Sequence, residues 1–144
     1  MCSKGVTMKR VLSLRVRAYP SDLNPIGTVF GGWIMAKMDK AASIAVEDIV
    51  EGTAVTVAVS NLHFIKPVHN GDIVTFYTAI SHIGRTSIEI SVEAEVRCRS
   101  SRCEMQVTDA IFTFVTVNEK GKPIAVSSVL RDGVEKEIIQ MAKE

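Results

Sequence analysis

Apolar and polar residues alternate along much of the second half of the chain. Residues 88–96 read Ile-Glu-Ile-Ser-Val-Glu-Ala-Glu-Val, so every second side chain is apolar. This period of two is typical of a β-strand that buries one face and exposes the other. Segments rich in Val, Ile, Thr and Phe, separated by turn-forming residues, predict four long antiparallel strands at 53–65, 72–83, 86–98 and 104–117. The last is the most continuously apolar, which favours a central position in the sheet.

The apolar residues of the segment 33–50 have a different spacing. This segment contains no glycine or proline, and its apolar residues recur every three or four positions. They include Ile34, Met38, Ala41, Ala45 and Ile49. Such spacing puts the apolar side chains on one face of a helix. We therefore expect one helix of about five turns, which begins at Gly31-Gly32 and ends near Gly52.

The order of the predicted elements indicates the fold class. A short strand at 11–16 precedes the long helix, the four strands follow as a meander, and a short helix is expected within 132–143. A single helix in an antiparallel sheet buries its apolar face best if the sheet curls around it. The chain is therefore predicted to be an α+β domain, with about five antiparallel strands wrapped around one long central helix.

Composition and charge narrow the possible functions. Of the 144 residues, 47% are hydrophobic and 23% are charged, and 17 basic side chains nearly balance 16 acidic ones. These values indicate a globular domain, and a net charge of +1 does not predict nucleic acid as the main partner. No segment is long and apolar enough to span a bilayer, and the first residues lack the apolar run of a signal peptide. We therefore expect no membrane partner and a cytoplasmic location.

The cysteines and histidines do not form a metal-binding pattern. Cys2, Cys98 and Cys103 lack Cys-x-x-Cys spacing, and the three histidines share no helical or metal-ligand spacing. Cys98 and Cys103 flank the run Arg-Ser-Ser-Arg and could face each other across a hairpin, where we expect reduced thiols. The sequence therefore predicts no metal site.

Asp39 is the residue in the sequence that most suggests chemistry. Its neighbours one or two turns away on the predicted helix are Met35, Ala42 and Val46, so the carboxylate lies on the apolar side. A carboxylate is costly to bury there unless something pairs with it, so such a position suits a general base. Two structural interpretations stay open: the side chain reaches solvent at the helix margin, or it is bonded to a distant partner.

The start of the same helix offers a second candidate. Gly31 and Gly32 would let a ligand approach the unpaired N–H groups of the first turn, which can stabilise an oxyanion, although a simple turn is the more common explanation of a glycine pair. Asp39 lies about two turns further, roughly 10 Å along the axis, a spacing that suits a base and an oxyanion site on two sides of one acyl group. Upstream, the amide of Asn24 could orient a water or a carbonyl, or form an Asx turn before Pro25.

Longer strings of sequence resemble a known family. Residues 20–39, Pro-Ser-Asp-Leu-Asn-Pro-Ile-Gly-Thr-Val-Phe-Gly-Gly-Trp-Ile-Met-Ala-Lys-Met-Asp, resemble the signature of hot-dog-fold acyl-CoA thioesterases, in particular the small single-domain bacterial YciA-like group. The strings at 57–68, 71–72, 83–87 and 109–115 fit the same family. The resemblance covers residues 8–120, which we take as the hot-dog domain, and leaves 121–144 as a C-terminal tail with a short helix.

The resemblance implies a hydrolase whose active site forms between two chains. In that arrangement Asn24 of one chain faces Asp39 of the other, and Asp39 acts as general base on a water or, alternatively, as a nucleophile. The N–H groups near Gly31 and Gly32 would receive the carbonyl oxygen of an acyl-CoA thioester. The family often assembles three dimers into a hexamer, so we expect a dimer-based homo-oligomer.

Coenzyme A is expected as part of the substrate, and no separate cofactor is predicted. Its phosphates and pantetheine would contact the turn Gly84-Arg85-Thr86-Ser87, with Lys66 as a further candidate. For Arg85 the alternative is an exposed turn residue without a role. Two other functions stay open: a hot-dog dehydratase or isomerase, and an acyl-CoA-binding sensor without catalysis. The helix has no histidine, which disfavours the first, and the presence of Asp39 with Asn24 disfavours the second.

Overall fold

The computed structural model describes residues 9–143, which form one antiparallel sheet and two α-helices. The elements are β1 (Val11–Arg17), α1 (Gly31–Glu47), β2 (Thr53–Phe64), β3 (Ile73–Ile83), β4 (Ser87–Arg97), β5 (Glu104–Val117) and α2 (Lys136–Lys143). Short 3₁₀ turns at Pro20–Asp22 and Val126–Ser128 complete the fold. The predicted α+β class and the five strands are confirmed.

Helix α1 packs its apolar stripe against the inner face of the sheet. The buried residues of the stripe are Ile34, Met38, Ala41, Ala42 and Val46. Across from them the largest fully buried side chains of the sheet include Phe76, Phe112 and Phe114. Each large apolar side chain removed from water contributes about 1.5–3 kcal/mol before the entropy of ordering it. This contact is therefore the main reason that the helix lies where it does.

The helix begins at Gly31, as predicted, but ends at Glu47 rather than near Gly52. The following backbone groups bond to a segment close to the C-terminus instead of continuing the helix. The Glu51 N–H donates to the Val129 carbonyl at 2.7 Å, and the Arg131 N–H donates to the Ile49 carbonyl at 2.8 Å. Sequence periodicity cannot show this competition, because the competing groups lie about eighty residues away in the chain.

The prediction of a four-strand meander is wrong for one strand. The sheet order is β1-β3-β4-β5-β2, so only β3, β4 and β5 follow one another as neighbours. β2 lies at the far edge and pairs with β5, from Thr53 opposite Val117 to Phe64 opposite Thr108. The segment 65–72 therefore crosses the end of the sheet to start β3. β5 is an interior strand, as its apolar sequence suggested, but the central strand is β4.

Irregular pairing bends the sheet around the helix. The strand register shifts between Leu12 and Leu14 in β1, between Ile80 and His82 in β3, and twice in β2. Such bulges increase the local twist and bend a strand. At the second bulge of β2, Asn61 adopts a left-handed backbone conformation with φ of 53°, which asparagine tolerates better than most residues. The curved sheet can then cover one helix along its length.

The two ends of the molecule carry different loops, which we call the N-pole and the C-pole after the ends of α1. The N-pole contains residues 18–30, the crossing segment 65–72 and the β4–β5 hairpin 98–103. The C-pole contains residues 48–52, the β3–β4 hairpin 84–86 and the segment 118–135. The segment 118–135 is firmly attached, because Val126 is fully buried and its N–H donates to the Arg85 carbonyl at 2.8 Å.

Cys98 and Cys103 occupy the positions that the sequence suggested. The Cys98 N–H donates to the Cys103 carbonyl at 2.9 Å across the β4–β5 hairpin, and both thiols are free. Cys2 lies outside the described residues. None of the helices in residues 9–143 is long and apolar enough to cross a membrane.

Candidate active site

Asp39 lies halfway along α1, at the margin of the buried stripe. Its predicted helix neighbours Ala42 and Val46 are buried, whereas Asp39 itself is partly exposed. Thr56 of β2 donates its hydroxyl to Asp39 Oδ1 at 2.6 Å. Within residues 9–143 the carboxylate forms no ion pair, and Oδ2 accepts no hydrogen bond. One oxygen is thus oriented by the sheet while the other remains available to a water molecule.

The first turn of α1 presents unpaired backbone donors. The helix has no side-chain cap, and the Phe30 carbonyl accepts bonds from Trp33 and Ile34 at 3.1 and 3.3 Å. The N–H groups of Gly31 and Gly32 have no acceptor among the described residues. Because they also lie at the positive end of the helix dipole, they can bind the oxygen of a polarised carbonyl.

The two glycines are not equivalent. A Cβ atom on Gly31 would lie 3.1 Å from the ring of Phe64, at the end of β2, whereas a Cβ on Gly32 would meet nothing within 4 Å. Phe64 therefore packs over Gly31, and Gly32 faces open space. A ligand can approach the helix terminus from the Gly32 side.

Asn24 orders the loop that leads into the helix. Its Oδ1 accepts the N–H groups of Ile26 at 3.0 Å and Thr28 at 3.1 Å, and its Nδ2 donates to Thr28 Oγ1 at 2.9 Å. This is the Asx-type turn that the sequence left open. The amide has two hydrogens, so one Nδ2–H remains for a ligand or another chain.

The structure brings together some of the predicted site residues and separates others. Asn24 and the glycine pair both lie at the N-pole. The loop that contains Asn24 is held against the start of the helix by the Phe30 N–H, which donates to the Asp22 carbonyl at 3.1 Å. Asp39 bonds to Thr56, and no hydrogen bond joins it to Asn24 among the described residues. The continuous helix keeps the spacing between Gly32 and Asp39 at roughly 10 Å.

The hairpin Gly84-Arg85-Thr86-Ser87 lies at the C-pole. It is closed by a bond from the Gly84 N–H to the Ser87 carbonyl at 2.8 Å, and Arg85 is exposed. Lys66 is also exposed but lies at the N-pole, where its N–H donates to the Val107 carbonyl at 3.2 Å. Within one chain, Arg85 and Lys66 therefore lie at opposite ends of the sheet.

Sequence reasoning missed Thr56 and the covering role of Phe64. Both face inward from β2, opposite Phe114 and Thr108 of β5. Two bulges within β2 each change which residues face the helix, so alternation alone does not show which side chains of this strand face inward. The sequence offered one signal for Thr56: a threonine lies in the strand that follows a helix with a lone carboxylate.

The edge formed by β2 differs from the opposite edge formed by β1. Residues 53–64 contain no Asp, Glu, Lys or Arg, and Val55, Val57 and Val59 are exposed by 43%, 55% and 37%. β1 is shorter and carries Arg15 and Arg17. Charged and short edges resist pairing with another sheet, whereas a long uncharged apolar edge favours it.

The comparisons with known proteins agree with this geometry. The family model of the thioesterase superfamily matches residues 26–98, about half of the chain. The chain belongs to the thioesterase superfamily. The sequence-based resemblance and the hot-dog fold are thereby confirmed.

Individual relatives match between 80% and 97% of the chain. An uncharacterized acyl-CoA thioester hydrolase of Haemophilus influenzae is 40% identical over 143 residues, which cover 97% of this chain and 93% of the relative. The acyl-CoA thioester hydrolase YciA of Escherichia coli is 38% identical over 118 residues, covering 80% and 89%. A mutant of HI0827, a hexameric broad specificity acyl-coenzyme A thioesterase, superposes with a TM-score of 0.81 at 40% identity, covering 94% of this chain and 96% of that chain.

We predict different effects of alanine at the two glycines. Gly32→Ala should raise the free energy of unfolding by about 0.4–1 kcal/mol, because it restricts the unfolded chain and meets no atom in the folded one. Gly31→Ala should raise the free energy of unfolding less than Gly32→Ala does, or lower it, because its Cβ would press against Phe64. Urea unfolding of both variants measures the difference. In a Phe64→Ala background the two substitutions should become equivalent, and equal effects in the wild-type background would contradict the packing described.

Proposed function

We propose that this protein is an acyl-CoA thioesterase that hydrolyses the thioester with Asp39 as general base. The observation that carries the proposal is the partly exposed, ion-pair-free Asp39, held by Thr56 at 2.6 Å on a helix whose first turn has unpaired donors. A base, its orienting hydroxyl and an oxyanion site are what acyl transfer to water requires. The relatives named above support acyl-CoA as the substrate.

The reaction uses these groups in one sequence. Asp39 takes a proton from a water molecule, whose oxygen attacks the thioester carbonyl and forms a C–O bond. The carbonyl oxygen becomes an oxyanion, which the N–H groups of Gly31 and Gly32 and an Asn24 amide hydrogen stabilise. Collapse of this intermediate breaks the C–S bond, and the departing thiolate of coenzyme A takes the proton. The products are a carboxylic acid and free coenzyme A.

We propose that two chains pair through their β2 edges and complete each other's active sites. Pairing joins the two uncharged strands in one continuous sheet and covers their exposed valines. It also places Asp39 and Thr56, which face the open edge, next to the partner molecule. Asn24 of one chain then meets Asp39 of the other, which agrees with their separation within one chain. Three such dimers would form a hexamer, the state described for HI0827.

The same pairing gives the hairpin at residues 84–87 a role in binding coenzyme A. In an antiparallel β2–β2 pair the C-pole of one chain lies at the same end as the N-pole of the other. Arg85, Thr86 and Ser87 can therefore approach a substrate bound at the partner's helix terminus, where Lys66 of that partner also lies. Arginine suits phosphate because its guanidinium donates two parallel hydrogen bonds.

We propose no separate cofactor for this reaction, because coenzyme A enters as part of the substrate. The described part of the chain contains no group of three or more His, Cys, Asp or Glu side chains that could hold a metal ion. We place the enzyme in the cytoplasm, where acyl-CoA is metabolised and thiols such as Cys98 and Cys103 stay reduced.

Asp39→Asn should lower kcat at least about a hundredfold, because the amide keeps the shape of the carboxylate but cannot accept the proton. Thiol release from acetyl-CoA and palmitoyl-CoA, followed with a thiol reagent, measures the rate. Asp48→Asn, at the exposed end of the same helix, is the matched control and should retain wild-type activity. A sensor without catalysis would release no thiol even as wild type, and an active Asp39→Asn enzyme would exclude Asp39 as the base.

Thr56→Val should reduce kcat about threefold to tenfold and change KM little, because the lost hydrogen bond orients the base and does not bind substrate. Thr56→Ser, which keeps the hydroxyl, should restore the rate. The steady-state parameters of both variants on one acyl-CoA provide the measurement. A fast Val variant beside a slow Ser variant would show instead that the role of Thr56 is packing of its methyl group.

The shared active site predicts complementation between inactive chains. Asn24→Ala and Asp39→Ala proteins should each be inactive alone, and mixing them after dissociation should restore activity, because a mixed dimer contains one site with both native residues. Mass spectrometry of the mixture confirms that subunits have exchanged. Exchange without recovered activity would place Asn24 and Asp39 of one chain in the same site.

A further inference from the structure

We propose that Arg17, Gly71 and Arg99 form a phosphate-binding site at the N-pole, which we call the arginine cradle. Arg17 Nη1 donates to the Gly71 carbonyl at 3.0 Å. Arg99 lies on the other side of the same glycine, with its Cδ 3.1 Å and its Nη1 3.6 Å from the position of a Cβ on Gly71. Two guanidinium groups thus converge on one residue, and both side chains belong to exposed residues.

The cradle is positioned by backbone bonds. The Gly71 N–H donates to the Ala18 carbonyl, and the Ala18 N–H donates to the Asp72 carbonyl, both at 2.9 Å. Gly71 has φ of 86°, a conformation that a residue with a side chain rarely adopts. The absence of a side chain also lets Arg99 pack directly over the turn. The two arginines are therefore held together although their charges repel each other.

The carboxylates of the N-pole do not neutralise these arginines. The N-pole and the adjoining Arg17 contain four Arg or Lys, namely Arg17, Lys66, Arg99 and Arg102, against two Asp, a surplus of two in a chain whose total net charge is +1. Asp22 accepts the Tyr19 N–H at 2.9 Å, and Asp72 accepts the backbone N–H groups of His69 at 2.9 Å and Arg99 at 3.4 Å. Neither carboxylate forms an ion pair with a guanidinium in the part of the chain that the structure describes.

A multiply charged, oxygen-rich anion is best suited to neutralise this excess of positive charge. Phosphate accepts hydrogen bonds from several guanidinium N–H groups at once. Beside the cradle lies an open groove of about 480 Å³, which is lined by His69, Asn70, Asp72, Cys98, Arg99, Ser100 and Ser101. Its serine hydroxyls and amide supply further donors to a phosphate or to the group that carries it.

The cradle also lies next to the proposed catalytic loop. Thr28, which bonds to Asn24, forms an isolated bridge with His69, and the Val29 N–H donates to the Val68 carbonyl at 2.8 Å. If the proposed function is right, the phosphate belongs to the nucleotide of coenzyme A. That nucleotide carries a diphosphate and a separate 3′-phosphate, so one molecule can contact both the cradle and the partner's Arg85.

Calorimetric titration of the intact protein with adenosine 3′,5′-bisphosphate tests the site without depending on catalysis. Arg99→Gln and Arg17→Gln should each weaken binding about tenfold, the effect of one lost charge-assisted hydrogen bond. Arg102→Gln is the matched control: it removes the same charge from the same hairpin and has no contact with Gly71. It should weaken binding less than about threefold, because it changes only the surrounding potential. Thermal unfolding checks that all variants are folded.

Equal losses of bisphosphate affinity in the Arg99 and Arg102 variants would overturn the proposal, because they would show nonspecific electrostatic attraction and no defined binding site. Unchanged binding in the Arg99 and Arg17 variants would overturn it as well. Inorganic phosphate should bind at least tenfold more weakly than the bisphosphate, and equal affinity would contradict the assignment to coenzyme A. In turnover, Arg99→Gln should raise KM for acetyl-CoA and leave S-acetylpantetheine unaffected. A protein that hydrolyses neither thioester would refute the proposed function but not the titration.

Discussion

The structure depends on one packing constraint: a single helix must cover the inner face of a five-stranded sheet. Helix α1 does so with a stripe of five buried residues, and the sheet bends at its bulges to follow it. A helix is narrower than five strands, so it cannot cover both edge strands along their whole length. β2 is an edge strand, and its residues are almost continuously exposed. The packing that stabilises the domain therefore leaves open the edge through which we propose that two chains pair.

The position of Asp39 follows from the same constraint. A carboxylate on the buried stripe would require a desolvated partner, and one on the opposite face would lie in bulk water. Asp39 lies between these positions, where Thr56 of the least covered strand supplies one hydrogen bond. The carboxylate is thus held in place but keeps an accessible oxygen. A second chain on the β2 edge would enclose this region, which connects the assembly of this thioesterase superfamily member to its chemistry.

Charge is distributed unevenly although the chain is almost neutral. The N-pole and the adjoining Arg17 carry four Arg or Lys against two Asp, and these carboxylates accept backbone N–H groups and pair with no guanidinium among the described residues. The outer face of the sheet is different, because Glu93 and Glu95 of β4 both pair with Arg10 at 2.8 Å. An acyl-CoA substrate combines an apolar chain with a polyanionic nucleotide. The positive charge at the N-pole suits the nucleotide of the substrate that we propose.

The sequence by itself determined the elements and the chemical candidates. Apolar residues at every second position predicted the strands, and apolar residues with a period near 3.6 predicted α1. A resemblance over residues 20–39 indicated Asn24, the glycine pair and Asp39 as the residues of one candidate site. These features are local, because they depend on spacing along one stretch of chain. Tertiary structure alone decided that β2 crosses to the far edge, that Thr56 meets Asp39, and that Arg17 and Arg99 converge on Gly71. Those contacts join residues far apart in sequence, and the bulges of β2 break the alternation from which facing directions are counted.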